Sequence, residues 1–165
     1  MADIIITDDE ITGALLRLSA ALSDMTPVME EIGQILTFST KRRFGEGVSP
    51  DGVRWAPKSQ TTLNRHGART SNRIDIRPLF GPSGALSSQI FYEAASDSVA
   101  WGSPMIYAAT QQFGAAQGAF GRTKRNGPIP WGNIPARPFL GVSPEDQTNI
   151  LDAIAEALTR SAVSG

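Results

Sequence analysis

The chain has 165 residues, of which 41% are hydrophobic and 19% charged, and its net charge is −1, a composition that predicts one globular domain over 1–165. The absence of cysteine excludes disulfides, thiolate zinc sites and cysteine nucleophiles. Because no run approaches about 18 apolar residues and the N-terminus has no basic leader, we expect a soluble chain that is not exported and has no membrane partner.

The N-terminal part, 1–45, is predicted to be helical. Its first helix should start near the acidic residues at 8–10, where negative charge stabilises a helix N-terminus. Apolar residues at spacings of four, three and four then predict one buried helical stripe, formed by Ile11, Leu15, Leu18 and Leu22. The two helices of this part are expected to form a hairpin or one bent rod.

A second helix is predicted over 27–44. Thr26 reads as its N-cap with Pro27 at the first helical position, basic residues occupy its last turn, and Gly45 should end it. The residues expected on its buried face are Val28, Ile32, Ile35, Leu36 and Ser39.

Residues 46–84 are predicted to be an extended loop region. The sequence Ser49-Pro50-Asp51-Gly52 indicates a turn, because proline presets φ and glycine accepts positive φ. A polar stretch at 59–62 could open a short helix. Arginines follow at every fourth position, but the glycines and prolines among them favour a mostly irregular segment; these arginines are Arg65, Arg69, Arg73 and Arg77.

Residues 85–142 are predicted to hold a small sheet. Branched and aromatic residues at 89–94 have strand character, and 99–102 is a plausible returning strand after the turn at Asp97 and Ser98. The two strands would form an antiparallel hairpin that packs against the second helix.

The same region contains a short helix and a long loop. Ser103-Pro104 should start the helix, and Gly114 should end it. The glycine-rich stretch 114–134 is predicted to be the least structured part of the chain. The proline-bracketed stretch 134–141 should run extended as an edge strand of the sheet.

A last helix is predicted over 143–162. Ser143-Pro144 followed by two acids is typical of a capped helix start. Its expected buried stripe consists of Ile150, Leu151, Ile154 and Leu158. Together these elements predict an α+β fold with N-terminal helices, a small mostly antiparallel sheet, a C-terminal helix and long loops.

Charge is distributed unevenly along the chain. One base and seven acids give −6 over 1–40, thirteen bases and five acids give +8 over 41–137, and one base and four acids give −3 over 138–165. Opposite patches of this kind attract between copies in an assembly, whereas a nucleic-acid channel would also use a basic middle. Pairing within one molecule is the third interpretation.

No catalytic, metal or cofactor-binding constellation is visible, so we predict no enzyme activity and no cofactor. His66 is the only histidine and stands in a glycine- and arginine-rich segment without a partner. No nucleophile elbow, phosphate-binding loop or dinucleotide fingerprint is present. The acid pairs lie at predicted helix starts, where a structural role explains them; they are Asp8-Asp9-Glu10, Glu30-Glu31 and Glu145-Asp146.

The basic cluster Arg122, Lys124 and Arg125 is the best candidate for contact with nucleic acid, since three cations on a loop can neutralise phosphates without reading bases. Phe120 and Trp131 flank it at a distance. A loop that is solvated or contacts a partner is the preferred interpretation, and a loop facing DNA that passes through a channel would combine partner and DNA contact.

Three aromatic residues close to glycine or proline in the sequence, Trp55, Phe113 and Phe139, suggest anchors that pin loops to the core or contact a neighbour. Arg137 lies between two prolines, so its guanidinium is expected to make a bidentate contact to a carboxylate within the fold or on a neighbour. With the basic cluster and Trp131, these residues form the predicted subunit or partner interface.

Short motifs in a fixed order make the chain resemble the phage virion morphogenesis proteins, the tail-completion group of Mu-like and P2-like phages. The resemblance runs through nearly the whole chain and is strongest from Tyr107 to Gly141. Its motifs are Thr26-Pro27-Val28-Met29, Ile32-Gly33, Arg43-Phe44, Pro50-Asp51-Gly52, Trp55-Ala56-Pro57, Gly84-Ala85-Leu86, Trp101-Gly102, Tyr107-Ala108, Gln112-Phe113-Gly114 and Pro135-Ala136-Arg137-Pro138-Phe139-Leu140-Gly141.

The resemblance implies a structural subunit that completes the tail or joins it to the filled head, with no enzyme activity and no cofactor. We expect it in the virion at the neck or tail end, and in the host cytoplasm during assembly. Its expected partners are neighbouring neck and tail proteins and further copies of itself in a closed head-to-tail ring, a hexamer given the symmetry of tails. Tail terminator and head-side stopper would share this anatomy.

Two alternatives from other classes stay open. A DNA-binding protein that uses the basic middle segment would lose affinity steeply with added salt. A hydrolase with an unrecognised site would lose turnover on alanine substitution of Glu145, Asp146 or His66, although no sequence feature favours it.

Overall fold

One long helix organises the structure, a computed structural model that describes residues 9–69, 75–81 and 83–163. The elements are α1 (Asp9–Ser23), α2 (Thr26–Glu46), α3 (Gln60–Arg69), α4 (Ala85–Ser88), β1 (Phe91–Ala94), β2 (Val99–Gly102), α5 (Ala108–Phe113) and α6 (Pro144–Val163). Helices combined with an antiparallel two-stranded sheet confirm the predicted α+β class. Asp8, Arg73 and the side chains of Ile11, His66 and Arg69, which entered the predictions, lie outside what is described.

The ends of α2 differ from the predicted ends. Thr26 is already helical and Met25 takes the N-cap position, so the prediction of Thr26 as N-cap is wrong. The Thr26 hydroxyl instead donates to the Asp24 carboxylate at 2.5 Å. At the other end the helix continues through Gly45, because Gly47 is the residue that adopts the left-handed φ of 72° and donates its N–H to the Arg43 carbonyl.

The predicted β-hairpin is confirmed, and it packs on α2. Phe91 pairs with Gly102 and Ala94 with Val99 in an antiparallel register. The Tyr92 ring lies over Gly33 of α2, where an added Cβ would come within 2.2 Å of the ring. A side chain at position 33 would therefore push the sheet away from the helix.

The buried apolar residues form two clusters on either side of the hairpin. One surrounds the C-terminal end of α2 and comprises Phe44, Trp55, Leu79, Leu86, Ile90, Ala108 and Phe139. The other lies between the N-terminal half of α2 and α6 and comprises Val28, Ile32 and Leu36, with Ile150 and Ile154 packed against it. Trp101 of β2 contacts both clusters and joins them.

Helix α1 exists as predicted, but the predicted buried stripe is wrong. Leu15 and Leu22 are 60% and 55% exposed, and Leu16 beside them is also exposed. The reason is that α1 packs mainly on α6 within the described chain, where Arg17 donates to the Ala162 carbonyl at 3.2 Å. One neighbour covers only a narrow strip of a helix.

The segment 46–84 is more ordered than the predicted loop region. Its turn at Ser49 is confirmed, since Gly52 donates to the Ser49 carbonyl at 2.9 Å and has a φ of 77°. The polar stretch does open a helix, and α3 continues through Gly67 to Arg69. The expectation of mostly irregular structure is wrong for 65–69, because a single internal glycine lowers helix stability without ending the helix, whereas 75–77 are not helical.

Two predictions between 103 and 141 are also corrected. The short helix begins at Ala108, not at Ser103-Pro104. The stretch 134–141 is not a strand of the sheet, which has only β1 and β2 in the described ranges. Its prolines lack N–H donors, and the N–H groups of Phe139 and Leu140 are taken by the Gln112 side chain, so a ladder to β1 or β2 does not form.

The predicted start of α6 is confirmed as a capping box. Ser143 N–H donates to the Asp146 carboxylate at 2.8 Å, and Asp146 N–H donates to the Ser143 hydroxyl at 3.1 Å. Leu151 was wrongly placed in the buried stripe, because it is 66% exposed while Ala153 is buried. None of the described helices has the length and apolar character needed to cross a membrane.

Candidate assembly interface

Residues 114–134, named here the arm, form an irregular two-stranded extension instead of the predicted structureless loop. At its base Ala115 and Ile134 exchange two backbone hydrogen bonds of 3.0 and 2.8 Å. Further out, Phe120 donates to the Ile129 carbonyl at 2.7 Å, and Ile129 donates to the Gly121 carbonyl at 2.8 Å. The arm thus satisfies much of its own backbone while projecting its side chains.

A tight turn closes the tip of the arm. Thr123 donates its N–H to the Gly127 carbonyl at 2.8 Å and accepts from the Gly127 N–H through its hydroxyl at 3.1 Å. Asn126 reaches a φ of 61°, a conformation that asparagine tolerates better than most residues. The turn fixes the backbone on which Lys124 and Arg125 are carried.

The arm presents a basic and aromatic surface. Arg122, Lys124 and Arg125 are exposed, and the arm contains no acidic residue to neutralise them. Trp131 is 71% exposed, with the Arg65 guanidinium 5.7 Å from its ring centre, and Phe120 is also exposed. Phe113, at the foot of the arm, is 78% exposed. Clustered exposed aromatics are typical of interfaces.

The Gln112 side chain fixes the foot of the arm to the chain that follows it. Its carbonyl oxygen accepts hydrogen bonds from Phe139 N–H at 2.9 Å and Leu140 N–H at 3.0 Å, and its amide donates to the Leu140 carbonyl at 3.0 Å. An amide is the one side chain that can imitate a peptide group in this way. The arm is therefore mounted on a rigid base.

Gly114 allows the two ends of the arm to approach closely. Its φ is 74°, and an added Cβ would lie 2.7 Å from the Ile134 carbonyl oxygen and 2.8 Å from the Ala136 nitrogen. Because both atoms belong to the backbone, they cannot move aside easily. The sequence Gln112-Phe113-Gly114 thus contains the Gln112 amide that binds the backbone of 139–140, named here the Gln112 clamp, followed by an exposed aromatic side chain and a required glycine.

Three of the predicted interface residues lie inside the molecule, which corrects the prediction for them. Phe139 is completely buried with its ring 5.3 Å from Phe44, and Trp55 is buried with its indole N–H donating to the Pro138 carbonyl at 2.8 Å. Arg137 is also buried. These residues hold the fold and are not available to a partner on the surface.

Arg137 binds no carboxylate in the described chain, so the expected contact to a carboxylate within the fold is wrong. Its Nε donates to the Ala56 carbonyl at 2.7 Å, and its Nη2 donates to the Pro57 carbonyl at 2.9 Å. Burial lowers the pKa of Arg137 from its ordinary value. The guanidinium serves as a backbone tie between the 135–141 segment and the chain after Trp55.

The other five predicted residues are exposed, and all belong to the arm or its foot: Phe113, Arg122, Lys124, Arg125 and Trp131. Sequence reasoning missed Gln112, whose role depends on a contact 27 residues away. It also missed the buried ion pair of Arg43 with Asp146, although the Ser143 to Asp146 spacing pointed to a structural carboxylate.

A cavity of about 620 Å³ is bordered by Lys58 and Arg137. Lys58 donates to the backbone carbonyls of Asp75 and Phe80, and burial lowers its pKa. Lys58 and Arg137 therefore both donate to backbone oxygens. Within the described residues, no group of three or more histidine, aspartate or glutamate side chains converges in a way that could hold a metal ion.

Comparison with known proteins gives the family. The sequence pattern of the "Phage virion morphogenesis family" matches residues 6–159. The chain is 29% identical over 147 residues to the Mu-like prophage FluMu G protein 2 of Haemophilus influenzae, covering 89% of this chain and 88% of that protein. It is 28% identical over 153 residues to the putative capsid assembly protein G of Escherichia phage Mu, covering 87% and 89%.

No solved structure matches the chain significantly. The family match nevertheless spans α1 through most of α6, including the arm, the Gln112 clamp and the 135–141 segment, and it confirms the resemblance seen in the motifs. The chain therefore belongs to the phage virion morphogenesis family and has a structural or assembly role in making a phage particle.

Proposed function

We propose that the chain is a structural subunit that completes the tail of a tailed phage, or joins it to the filled head, and that copies assemble head to tail into a closed ring. A hexamer would match the symmetry of tails. The mature location is the neck or tail end of the virion, and assembly takes place in the host cytoplasm. The neighbouring neck and tail proteins are its other partners.

The observation that carries this proposal is the arm. It combines a self-bonded backbone, a rigid foot and exposed Phe113, Phe120 and Trp131 beside an uncompensated basic tip. A monomer gains nothing by holding large aromatic groups in water, whereas a contact with another subunit would bury them. The phage Mu relative is named a putative capsid assembly protein, which supports a place in particle construction.

The level in the stack of neck and tail proteins has two further candidates, a tail terminator ring and a head-side stopper. Both would use the same arm and the same ring geometry. We favour tail completion because the motifs of the sequence resemble the tail-completion group of Mu-like and P2-like phages.

We further propose that the protein is not an enzyme and uses no cofactor. Two of the residues that the hydrolase alternative would use have structural partners. Glu145 pairs with Arg42, and Asp146 pairs with Arg43 and caps α6. A carboxylate engaged in this way is not free to act as a general base.

Disruption of the gene in its own phage or prophage tests the proposal. The lysate should accumulate heads and tails that do not form infectious particles, and a plasmid copy of the wild-type chain should restore the titre. Electron microscopy of the lysate should show which joint is missing. Normal titres and complete particles without the chain would overturn the proposal.

A further inference from the structure

A groove of about 410 Å³ lies between α2 and α6, outside the arm. Its lining from α2 includes the apolar side chains Ile35 and Phe38, and Phe38 is 69% exposed. Its lining from α6 includes Asp152 and Glu156, one helical turn apart on the same side. The groove thus combines apolar side chains of α2 with carboxylates of α6.

The groove carries uncompensated negative charge. Arg42 reaches Glu145 in the groove, and Arg160 lies 3.7 Å from Glu31, but neither Asp152 nor Glu156 forms an ion pair within the described residues. Two like charges at this spacing repel each other. A cationic partner would relieve that repulsion.

The tip of the arm has the opposite character. Lys124 and Arg125 are exposed and form no ion pair with any described residue, and Phe120 stands 57% exposed behind them. The arm therefore offers two cations and one aromatic group, and the groove offers two carboxylates and one aromatic group. Charge complementarity of this kind steers and orients protein contacts.

We propose that the arm of one copy docks in the α2–α6 groove of a second copy of the same chain, with Lys124 and Arg125 facing Asp152 and Glu156, and Phe120 against Phe38. This inference rests on the proposed ring and names the contact that builds it. No hydrogen bond or ion pair joins the arm to the groove within one described chain. A contact between two different surfaces is heterologous, and such contacts generate a ring when the rotation from copy to copy closes.

Charge complementarity favours a cationic polypeptide as the occupant, and the arm matches the groove with two cations and an exposed aromatic group. Nucleic acid would be repelled from the groove by Asp152 and Glu156, although the arm alone could approach phosphates. DNA binding by the arm is therefore a distinct outcome that the following experiment separates.

Reciprocal charge reversal tests the contact by sedimentation of the purified full chain. Lys124→Glu with Arg125→Glu should weaken self-association by about tenfold or more, as should Asp152→Lys with Glu156→Lys. The two variants mixed in equal amounts should associate again, and the chain carrying all four substitutions should regain wild-type association. Added salt should weaken every associating sample.

Matched controls separate this contact from general charge effects. Lys41→Glu with Arg54→Glu removes two other exposed cations, and Glu93→Lys with Asp97→Lys reverses two other exposed acids. Both controls should associate as the wild type does. Thermal unfolding of every variant verifies that a lost association does not come from a lost fold.

Disulfide trapping gives an independent readout, because the chain has no cysteine of its own. A chain with Arg125→Cys and Asp152→Cys should form a ladder of linked copies on oxidation, and one with Arg125→Cys and Glu93→Cys should not. The inference is overturned if the reversals leave association unchanged, if no combination restores it, or if the arm reversal reduces only duplex DNA binding.

The outcome also distinguishes this inference from the proposed function. If the arm-reversed variant enters virions at the wild-type level and supports infection, the arm-to-groove contact is wrong while the virion role stands. If the wild-type chain is absent from virions, the proposed function fails whatever its self-association.

Discussion

Arg43 and Asp146 form a buried ion pair that joins the C-terminal end of α2 to the first turn of α6. Their side chains are 4% and 1% exposed, and the guanidinium also donates to the Ser39 hydroxyl and to the Gly141 carbonyl. Asp146 in turn accepts the Ser143 N–H that caps α6. One guanidinium and one carboxylate thus fix two helices and the end of the 135–141 segment.

Replacing this carboxylate should strongly destabilise the fold. Asp146→Asn leaves the Arg43 charge buried without its counter-ion, so we expect the free energy of unfolding to fall by about 3–5 kcal/mol. Urea denaturation measures it. Glu145→Gln, which breaks the neighbouring exposed pair with Arg42, is the control and should change stability little. Equal effects of the two substitutions would contradict the assignment.

The same carboxylate should make stability depend on pH at the acidic end. Burial raises the pKa of Asp146, but hydrogen bonds from Ser39 and Ser143 and the Arg43 charge outweigh it, so the pKa lies below its ordinary value of 3.8. Because the pKa of Asp146 is lower in the folded than in the unfolded state, the carboxylate stabilises the fold at pH values above 3.8. This contribution is lost as the pH falls through the folded-state pKa. The difference in unfolding free energy between wild type and Asp146→Asn should therefore shrink below pH 3.8, as acid denaturation series would show. A difference that grows with acidity would refute this.

The Gln112 clamp should depend on its amide. Gln112→Leu removes the amide and leaves two N–H groups and one carbonyl of 139–140 without their partner. We expect a loss of about 1–3 kcal/mol or more in unfolding free energy. Gln34→Leu, at an exposed position of α2, should have little effect. A Gln112→Leu protein as stable as the Gln34→Leu protein would show that the clamp is dispensable.

Gly33 and Gly45 on α2 should respond oppositely to alanine. Alanine favours a helix over glycine by up to about 1 kcal/mol, and at Gly45 nothing lies within 4 Å of the new methyl group, so Gly45→Ala should stabilise. At Gly33 the methyl group meets the near side of the Tyr92 ring, and overpacking of about 1–3 kcal/mol should win. Thermal melts of both variants decide it; a stabilised Gly33→Ala protein would mean that the hairpin moves freely on α2.

Two tryptophans should separate folding from assembly. Trp55 is 7% exposed and Trp131 is 71% exposed. Trp55→Ala should cost about 3–5 kcal/mol of stability, whereas Trp131→Ala should stay within about 0.5 kcal/mol and still reduce incorporation into particles. Melting curves and immunoblots of purified virions give the two readouts. Full incorporation of the Trp131→Ala chain would remove that residue from the interface.

Local signals in the sequence predicted most of the elements. The Ser143 capping box, the turn at Ser49 and the hairpin strands were found because their residues act on their own neighbourhood. The end of α2 was misplaced by two residues because Gly45 and Gly47 carry the same local signal, and only the backbone shows which one adopts positive φ. The exposure of Leu15 depends on how many neighbours α1 has, which periodicity does not contain.

Long-range contacts explain the errors in the candidate site. Arg137 seemed suited to a carboxylate, but the fold presents it with the Ala56 and Pro57 carbonyls, 80 or more residues away. Trp55 and Phe139 are residue types that also anchor interfaces, and only their burial in the fold distinguishes them from such anchors. The glycines and cations of the arm are visible in the sequence without knowledge of the fold, and its role as an interface stays a prediction.

Cryo-electron microscopy of intact particles, produced by a phage whose only copy of the gene encodes this chain, tests the central claim most directly. The account predicts density for a closed ring of this fold at the joint between head and tail or at the tail end. Complete, infectious tailed particles in which no density and no peptide of this chain is found would contradict it.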